Sequence, residues 1–281
     1  MKSFKIKSYA KVNLALNIIC KKERLHKIES IVSFINLHDT IYLKKIRGKN
    51  HKVIFKGKFS EDIKKRNTVS NLFSLLEKKN FLNNQKFEVV IIKNIPQQAG
   101  LGGGSMNAAS LIDFFIKRKI LRLSKNEMIK LTSKIGSDVI LGVKPTHSII
   151  HSDDKIKKFY KKINLYTLVV KPDFGCSTKY IYSKVKSFSK PKFDKPKQTM
   201  FQAKYLKCQN NDLEKIVFRK YPKLKKIKSF LLNTQSNIFV RMSGSGSSIV
   251  AYFHSKKACD KAYKQFKVKF NSHWCIKSKT V

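Results

Sequence analysis

Arginine is scarce in a chain that is otherwise strongly basic. Of 61 basic residues only Arg24, Arg47, Arg66, Arg118, Arg122, Arg219 and Arg241 are arginine, against 17 acidic residues and a net charge of +44. Specific nucleic-acid readout leans on the planar, bidentate guanidinium. The lysines are instead spread along the whole chain, as in "KKINLYTLVVK" and "YPKLKKIKSF", so no specific nucleic-acid partner is expected. With abundant Ile, Asn and Phe beside Lys, the bias reads as that of an AT-rich genome, and the positive field would steer an anionic small substrate. Cysteine is also sparse: Cys20, Cys176, Cys208, Cys259 and Cys275 are odd in number and form no C-x-x-C pair. That argues against a disulfide framework and a thiolate metal centre. No apolar run approaches the roughly 20 residues of a membrane span, and the expectation is a soluble, cytoplasmic protein with no membrane partner. No carboxylate cage is visible, so no protein metal ligand is assigned.

What the chain does have is length and apolar content. Its 281 residues, 42% of them hydrophobic, sit where one core tends to divide into two. The lysine-rich stretch "HSDDKIKKFYKKIN" marks a boundary, giving expected domains at 1–155 and 156–281. In the first half, "FKIKSYAKVNLALNII", "ESIVSFINLHDTIYLKKI", "KVIFKG" and "KFEVVIIKNI" read as strands. "NTVSNLFSLLEKKNF", "AASLIDFFIKRKIL" and "SKNEMIKLTSKIG" read as helices, the last with Ser124 as N-cap, Glu127 closing a capping box and Gly136 as stop. The second half reads as strand "LYTLVVKP", helix "KYIYSKV" and an exposed loop "SKPKFDKPKQTM". Helical material broken by Pro222 follows, then strand, glycine turn, strand and helix to the end. The class is α+β.

Glycine is rare as well, only eleven residues, yet four fall within residues 100–104 of "IPQQAGLGGGSMNAAS". The run lies between a strand and the start of a helix. Such a place lets main-chain N–H groups and the helix dipole meet an anion, although tight turns use glycine too. It is not a G-x-x-x-x-G-K-[ST] loop, and no acidic residue follows at dinucleotide-fingerprint distance.

The stretch "IPQQAGLGGGSMNAA" resembles the second signature of the GHMP kinases. "YAKVNLALNI", "IGSDVILGV" and "MSGSGSSIVAYF" resemble three further family segments in the right order, with weaker echoes in "NLHDTI" and "KPDFGCST". The resemblance covers both halves. It implies a two-domain α+β fold, with an N-terminal ribosomal-protein-like domain and a C-terminal ferredoxin-like domain. The "GLGGGS" extension is similar to one branch in particular. That branch implies ATP-dependent phosphorylation of the 2-hydroxyl of a cytidine-diphosphate-linked methylerythritol, in the non-mevalonate route to isoprenoid precursors.

By the same resemblance, Asp138 is the catalytic carboxylate and Lys11 the lysine that orients it; from the residues alone they read as a loop cap and one more surface lysine, and the motif context reverses that reading. Pro96, Gln97, Gln98, Ala99, Gly100, Leu101, Gly102, Gly103, Gly104, Ser105, Met106 and Asn107 would hold the ATP phosphates, with magnesium arriving on the nucleotide. Lys93 and Asn67 match positions near the adenine; the alternatives are a strand-end charge and an N-cap. Asn13, His26, Thr178 and Tyr182 match substrate-binding positions, His26 at the cytosine edge and Tyr182 as stacking platform. Three residues depart from the family pattern. Gln98 replaces a small residue, Met106 a serine, and Leu25 an aromatic that stacks on the base.

Two other readings stand beside this one. The acceptor could be mevalonate, homoserine or a sugar, which "GLGGGS" and His26 argue against. The chain could also be a lysine-rich nucleic-acid-binding protein on a decayed kinase fold. A monomer and a homodimer both suit the sequence.

Overall fold

Two long strands open the chain, β1 (Ser3–Lys22) and β2 (Leu25–Ile46), where the sequence shows dense β-branched residues and no glycine or proline to interrupt them. In this computed structural model, which describes residues 3–23 and 25–281, both strands pass from one compact unit to another. The first unit is formed by the chain up to Lys11, Leu37–Gln97 and Gly102–Pro145. The second is formed by Val12–Asn36, Gln98–Leu101 and Thr146–Val281. The units are thus interleaved along the sequence, where composition alone suggests one cut near residue 155.

In the first unit β3 (Lys52–Lys56) runs parallel to β4 (Lys86–Ile92), which pairs antiparallel with Thr40–Ile46 of β2. Helices α1 (Thr68–Lys78), α2 (Gly103–Lys117), α3 (Lys125–Ile135) and the short α4 (Val139–Gly142) complete it. Val69, Leu72, Phe73 and Leu76 of α1 meet Leu111, Ile112 and Phe115 of α2 over Val89 and Ile91 of β4 in one buried cluster. Each such fully buried side chain contributes about 1.5–3 kcal/mol.

In the second unit β5 (His147–Ile150) pairs with Ser30–Val32 of β2 and with β6 (Ile156–Phe159). A four-stranded antiparallel sheet is built from β7 (Tyr166–Lys171), β8 (Asn237–Met242), β9 (Ile249–Phe253) and β10 (Trp274–Lys279), in the order β10-β7-β9-β8. Its helices are α5 (Thr178–Ser183), α6 (Ala203–Lys207), α7 (Leu213–Lys220), α8 (Pro222–Leu232) and α9 (Lys256–Lys269). Pro222 does break the helical stretch, and it sits at the first turn of α8, where its missing N–H costs nothing. Leu168, Val170, Leu213, Val217, Leu224, Ile227 and Phe266 share the second core. One expectation fails here: the segment "SKPKFDKPKQTM" is not wholly exposed, because Phe193 within it is fully buried.

Candidate active site

Helix α2 begins inside the glycine run, at Gly103, with Gly102 as N-cap in the left-handed conformation (φ 69°) and no side-chain cap. By contrast α1, α3, α5 and α9 are capped by Asn67, Ser124, Ser177 and Ser255. The first-turn amides of a helix have no intrahelical acceptor, so a 15-residue helix opened only by glycine presents an N-terminus suited to an anion.

Lys11 lies against this start. A Cβ on Gly102 would stand 2.9 Å from Lys11 Cγ and 3.2 Å from its Cε, so the glycine is required by sterics as well as by φ. The lysine side chain is only 6% exposed, and its Nζ is 3.2 Å from Oδ2 of Asp138, whose side chain is 32% exposed. Asp138 precedes α4 but makes no capping bond to it. Its carboxylate is therefore turned to Lys11, does not cap α4, and remains partly open to solvent.

Lys93 is buried, and its ammonium pairs with the buried carboxylate of Asp39. The other oxygen of Asp39 accepts the N–H groups of Asn94 and Ile95, each at 2.8 Å. A Cβ on Gly103 would lie 3.2 Å from Lys93 Nζ, so this ammonium stands beside the first residue of α2. Asp39, which sequence reasoning passed over except as part of "NLHDTI", thus anchors the strand exit that leads into the loop.

Asn67 acts as the cap of α1. Its Oδ1 accepts from Val69 and Ser70 at 3.0 and 3.1 Å, and its Nδ2 donates to the carbonyls of Lys64 and Lys65. The neighbouring Thr68 hydroxyl donates to the Gly104 carbonyl at 2.7 Å, tying α1 to the loop. Gln97 is tied down as well, its Nε2 donating to the Glu61 carbonyl at 2.6 Å. Pro96 is buried and Ser105 half-buried. Met106 is buried, with its Sδ 2.8 Å from where a Cβ on Gly142 would stand. Its side chain therefore belongs to the packing against α4, and the substitution for serine is absorbed there. Asn107 is also buried, and its Oδ1 has no hydrogen-bond partner.

The second unit holds Gln98, Ala99, Gly100 and Leu101 together with the turn Ser243–Ser248. Ser247 N donates to the Gln98 carbonyl, Ser248 N to that of Ala99, and Ser243 Oγ to that of Gly100 at 2.9 Å. A Cβ on Gly100 (φ 72°) would stand 1.9 Å from the Ser243 carbonyl oxygen, so no other residue fits. Gln98 is accommodated in a specific way: it adopts φ 49°, and Gly175 faces it so closely that a Cβ there would stand 2.6 Å from Gln98 Cβ. Asn13 reaches the same turn, its N–H donating to Ser243 Oγ and its Nδ2 to Ser30 Oγ. Thr178 shares a 2.8 Å hydrogen bond with Ser245. The serines at 243 and 245, visible in sequence only as a glycine-rich turn, thus join Asn13, Thr178 and Gly100.

His26 lies apart from that turn's hydrogen bonds but close to Tyr182, with ring centroids 5.3 Å apart. Burial, and then the Lys21 ammonium, push the imidazole below the ordinary histidine range, and its Nε2 has no hydrogen-bond partner. A neutral imidazole suits hydrogen bonding to a base edge.

Comparison with known proteins adds the family. Residues 67–147 match the GHMP kinases N-terminal domain and residues 195–271 the GHMP kinases C-terminal domain. The chain is 61% identical, over the whole of both proteins, to the 4-diphosphocytidyl-2-C-methyl-D-erythritol kinase of Pelagibacter ubique. It is 30% identical to that of Caldanaerobacter subterraneus, covering 94% of this chain and 92% of the relative. A crystal structure of 4-(cytidine 5'-diphospho)-2C-methyl-D-erythritol kinase shares the fold at TM-score 0.76 and 20% identity, over 98% of this chain and 99% of that one. A homoserine kinase shares it at TM-score 0.70 and 17% identity, over 100% and 95%. With this full-length similarity and both domains matched, the chain belongs to the GHMP kinases, ATP-using phosphotransferases that act on a hydroxyl group.

Proposed function

We propose that the protein transfers the γ-phosphoryl group of ATP to the 2-hydroxyl of 4-diphosphocytidyl-2-C-methyl-D-erythritol, releasing ADP. The acceptor is inferred from the full-length similarity to the Pelagibacter kinase. The observation that carries the chemistry is the Lys11–Asp138 pair packed against the N-cap glycine of α2. Asp138 accepts the proton of the acceptor hydroxyl as its oxygen attacks phosphorus, and Lys11 orients the carboxylate and offsets charge at the reacting oxygens. The first-turn amides of α2 hold the phosphates in line, which is most of what phosphoryl transfer asks of a protein. Lys93 and Asn67 bound the adenine side, and Asn13, His26, Thr178 and Tyr182 hold the cytidyl substrate.

Among the described residues no three or more His, Cys, Asp or Glu side chains converge as a metal site. The donors around the loop are amides, a hydroxyl at Ser105 and the Asp138 carboxylate, a set that fits magnesium carried in on phosphate oxygens, with those two side chains available to add an oxygen. When bound, the ion neutralises charge on the transferring phosphoryl.

The test is ADP release by purified protein with ATP and magnesium, offered the cytidyl compound, mevalonate, homoserine and a sugar in parallel. Turnover of the cytidyl compound alone is expected. Equal turnover of mevalonate or homoserine would reassign the acceptor.

A further inference from the structure

Phe188 is a large aromatic at the surface, 48% exposed, in a segment with no regular structure between α5 and α6. An irregular segment ordinarily lets such a ring turn inward or wave freely. This one is fastened on the C-terminal side of the ring. Ser189 N donates to the Ile18 carbonyl and Ser189 Oγ to Asp212 Oδ2, both at 2.8 Å. Three residues on, the N–H groups of Lys192 and Phe193 converge on the fully buried carboxylate of Glu29, at 2.8–3.0 Å, and Phe193 itself is fully buried. Glu29 also accepts from Asn17 Nδ2 at 2.7 Å. A buried carboxylate satisfied by main-chain amides is a strong tether. With both anchors in place, Phe188 is held outward.

The ring it presents lies 6.5 Å from His26, centroid to centroid, and within 32° of parallel to it. His26 therefore has two aromatic neighbours, Tyr182 and Phe188, and beside it Leu25 is 78% exposed. An exposed π-face on a tethered backbone, beside a second aromatic ring and an imidazole, fits a flat heteroaromatic ring. Stacking gives it affinity at little entropic cost. A phosphate or aliphatic chain would gain nothing from the ring.

We infer that Phe188 is a binding residue for the cytosine ring of the acceptor substrate, a stacking surface supplied by the segment after α5 and held by Glu29 and Asp212. This rests on the cytidyl acceptor proposed above. The ring's own affinity can nevertheless be measured without turnover, using CDP as probe.

Phe188→Leu keeps the apolar bulk and removes the π-face, while Phe188→Tyr keeps both. By calorimetric titration, Phe188→Leu should weaken CDP binding about tenfold, the usual scale for one base on one aromatic ring. It should raise KM for the cytidyl acceptor similarly, with kcat, KM for ATP and the melting temperature unchanged. Phe188→Tyr should restore parental values. A merely structural role would move the melting temperature and leave the tyrosine variant no special standing. Unchanged CDP affinity in Phe188→Leu, or a rise in KM for ATP in place of the acceptor, overturns the inference. If the parent binds CDP in a Phe188-dependent way yet does not phosphorylate the cytidyl acceptor, the acceptor reading fails and the base contact stands. A parent that binds no CDP overturns both.

Discussion

Replacing Gly102 by alanine would test whether the glycine loop and the proposed catalytic pair, Lys11 and Asp138, are one mechanical unit. Two costs follow from the geometry. Gly102 sits at φ 69°, where a Cβ costs roughly 1–2 kcal/mol. The new methyl would also start 2.9 Å from Lys11 Cγ, whereas carbon atoms rest at about 3.5–4.0 Å, so the lysine stem must retreat by about 0.6 Å or more. Its Nζ now stands 3.2 Å from Asp138, and a shift of that size along the pair would open it to about 3.8 Å, past hydrogen-bonding distance. Misplacing a catalytic group by about 1 Å costs on the order of a hundredfold in rate, so kcat should fall by roughly ten- to a hundredfold. The strain should lower the melting temperature by about 2–8 °C. The control is Gly48→Ala. Gly48 also has positive φ, but a Cβ there would meet nothing within 4 Å, so stability should fall while kcat holds. Steady-state kinetics with saturating ATP and acceptor, beside thermal melts of parent and both variants, give the answer. A Gly102→Ala protein that loses stability yet keeps parental kcat would refute the idea that this glycine positions Lys11.

Asp138→Asn, almost isosteric, should lower kcat by about two orders of magnitude or more while ATP still binds, as measured by nucleotide titration; parental turnover would remove Asp138 from proton transfer. Asp39→Asn leaves the buried Lys93 ammonium without its counter-charge, a loss on the order of 3–5 kcal/mol. Adding Lys93→Met should recover part of it in urea melts, and a double variant no more stable than the single would show that the ion pair is not the source. Burial pushes His147 down to about 4, against about 6.5 in the unfolded chain. The folded protein then binds fewer protons than the unfolded chain between those values. Stability present above pH 6.5 should be lost as pH falls toward 4, by about 3 kcal/mol from this residue. In His147→Gln that slope should flatten; an unchanged slope would assign it to other groups.

The parts of the molecule legible in the sequence are those whose cause is local. Ser124 and Glu127 form the capping box expected of them, because the atoms involved lie within one turn. The same holds for the cap at Asn67, whose bonds to Val69 and Ser70 stay within one turn. Met106 shows the limit: its neighbours in sequence are loop residues, but its side chain packs on Gly142. Lys11 and Asp138 are 127 positions apart, and nothing in composition or periodicity joins them; only the family resemblance did. The burial of Phe193 is masked in the sequence by the lysines and prolines around it, since its backbone is tethered by a carboxylate 164 positions away, that of Glu29. Strand β10 went unread because "WCIKSK" alternates too briefly, with charged outward residues, to stand out at the chain's end.

Scarcity itself carries information in this protein. Six of the eleven glycines adopt left-handed φ, and four of those six, Gly100, Gly102, Gly244 and Gly246, lie in the glycine-rich loop and the serine-rich turn. Several of the 17 acidic residues have similarly particular duties: Glu29, Asp39, Asp212 and Glu214 all accept main-chain N–H groups. A lysine can replace most surface residues at a cost within about 0.5 kcal/mol, so a compositional bias spreads there freely. It cannot replace a glycine whose Cβ would lie 1.9 Å from a carbonyl oxygen, nor an acceptor that leaves buried amides unpaired, at about 1–3 kcal/mol each. Gln98 is the instructive exception. It holds positive φ in the loop without being glycine, and the space its Cβ occupies is left open by Gly175 opposite, where any side chain would collide with it. The glycines and acidic residues that the bias has left in place are therefore those whose backbone geometry or buried hydrogen bonds no lysine could supply.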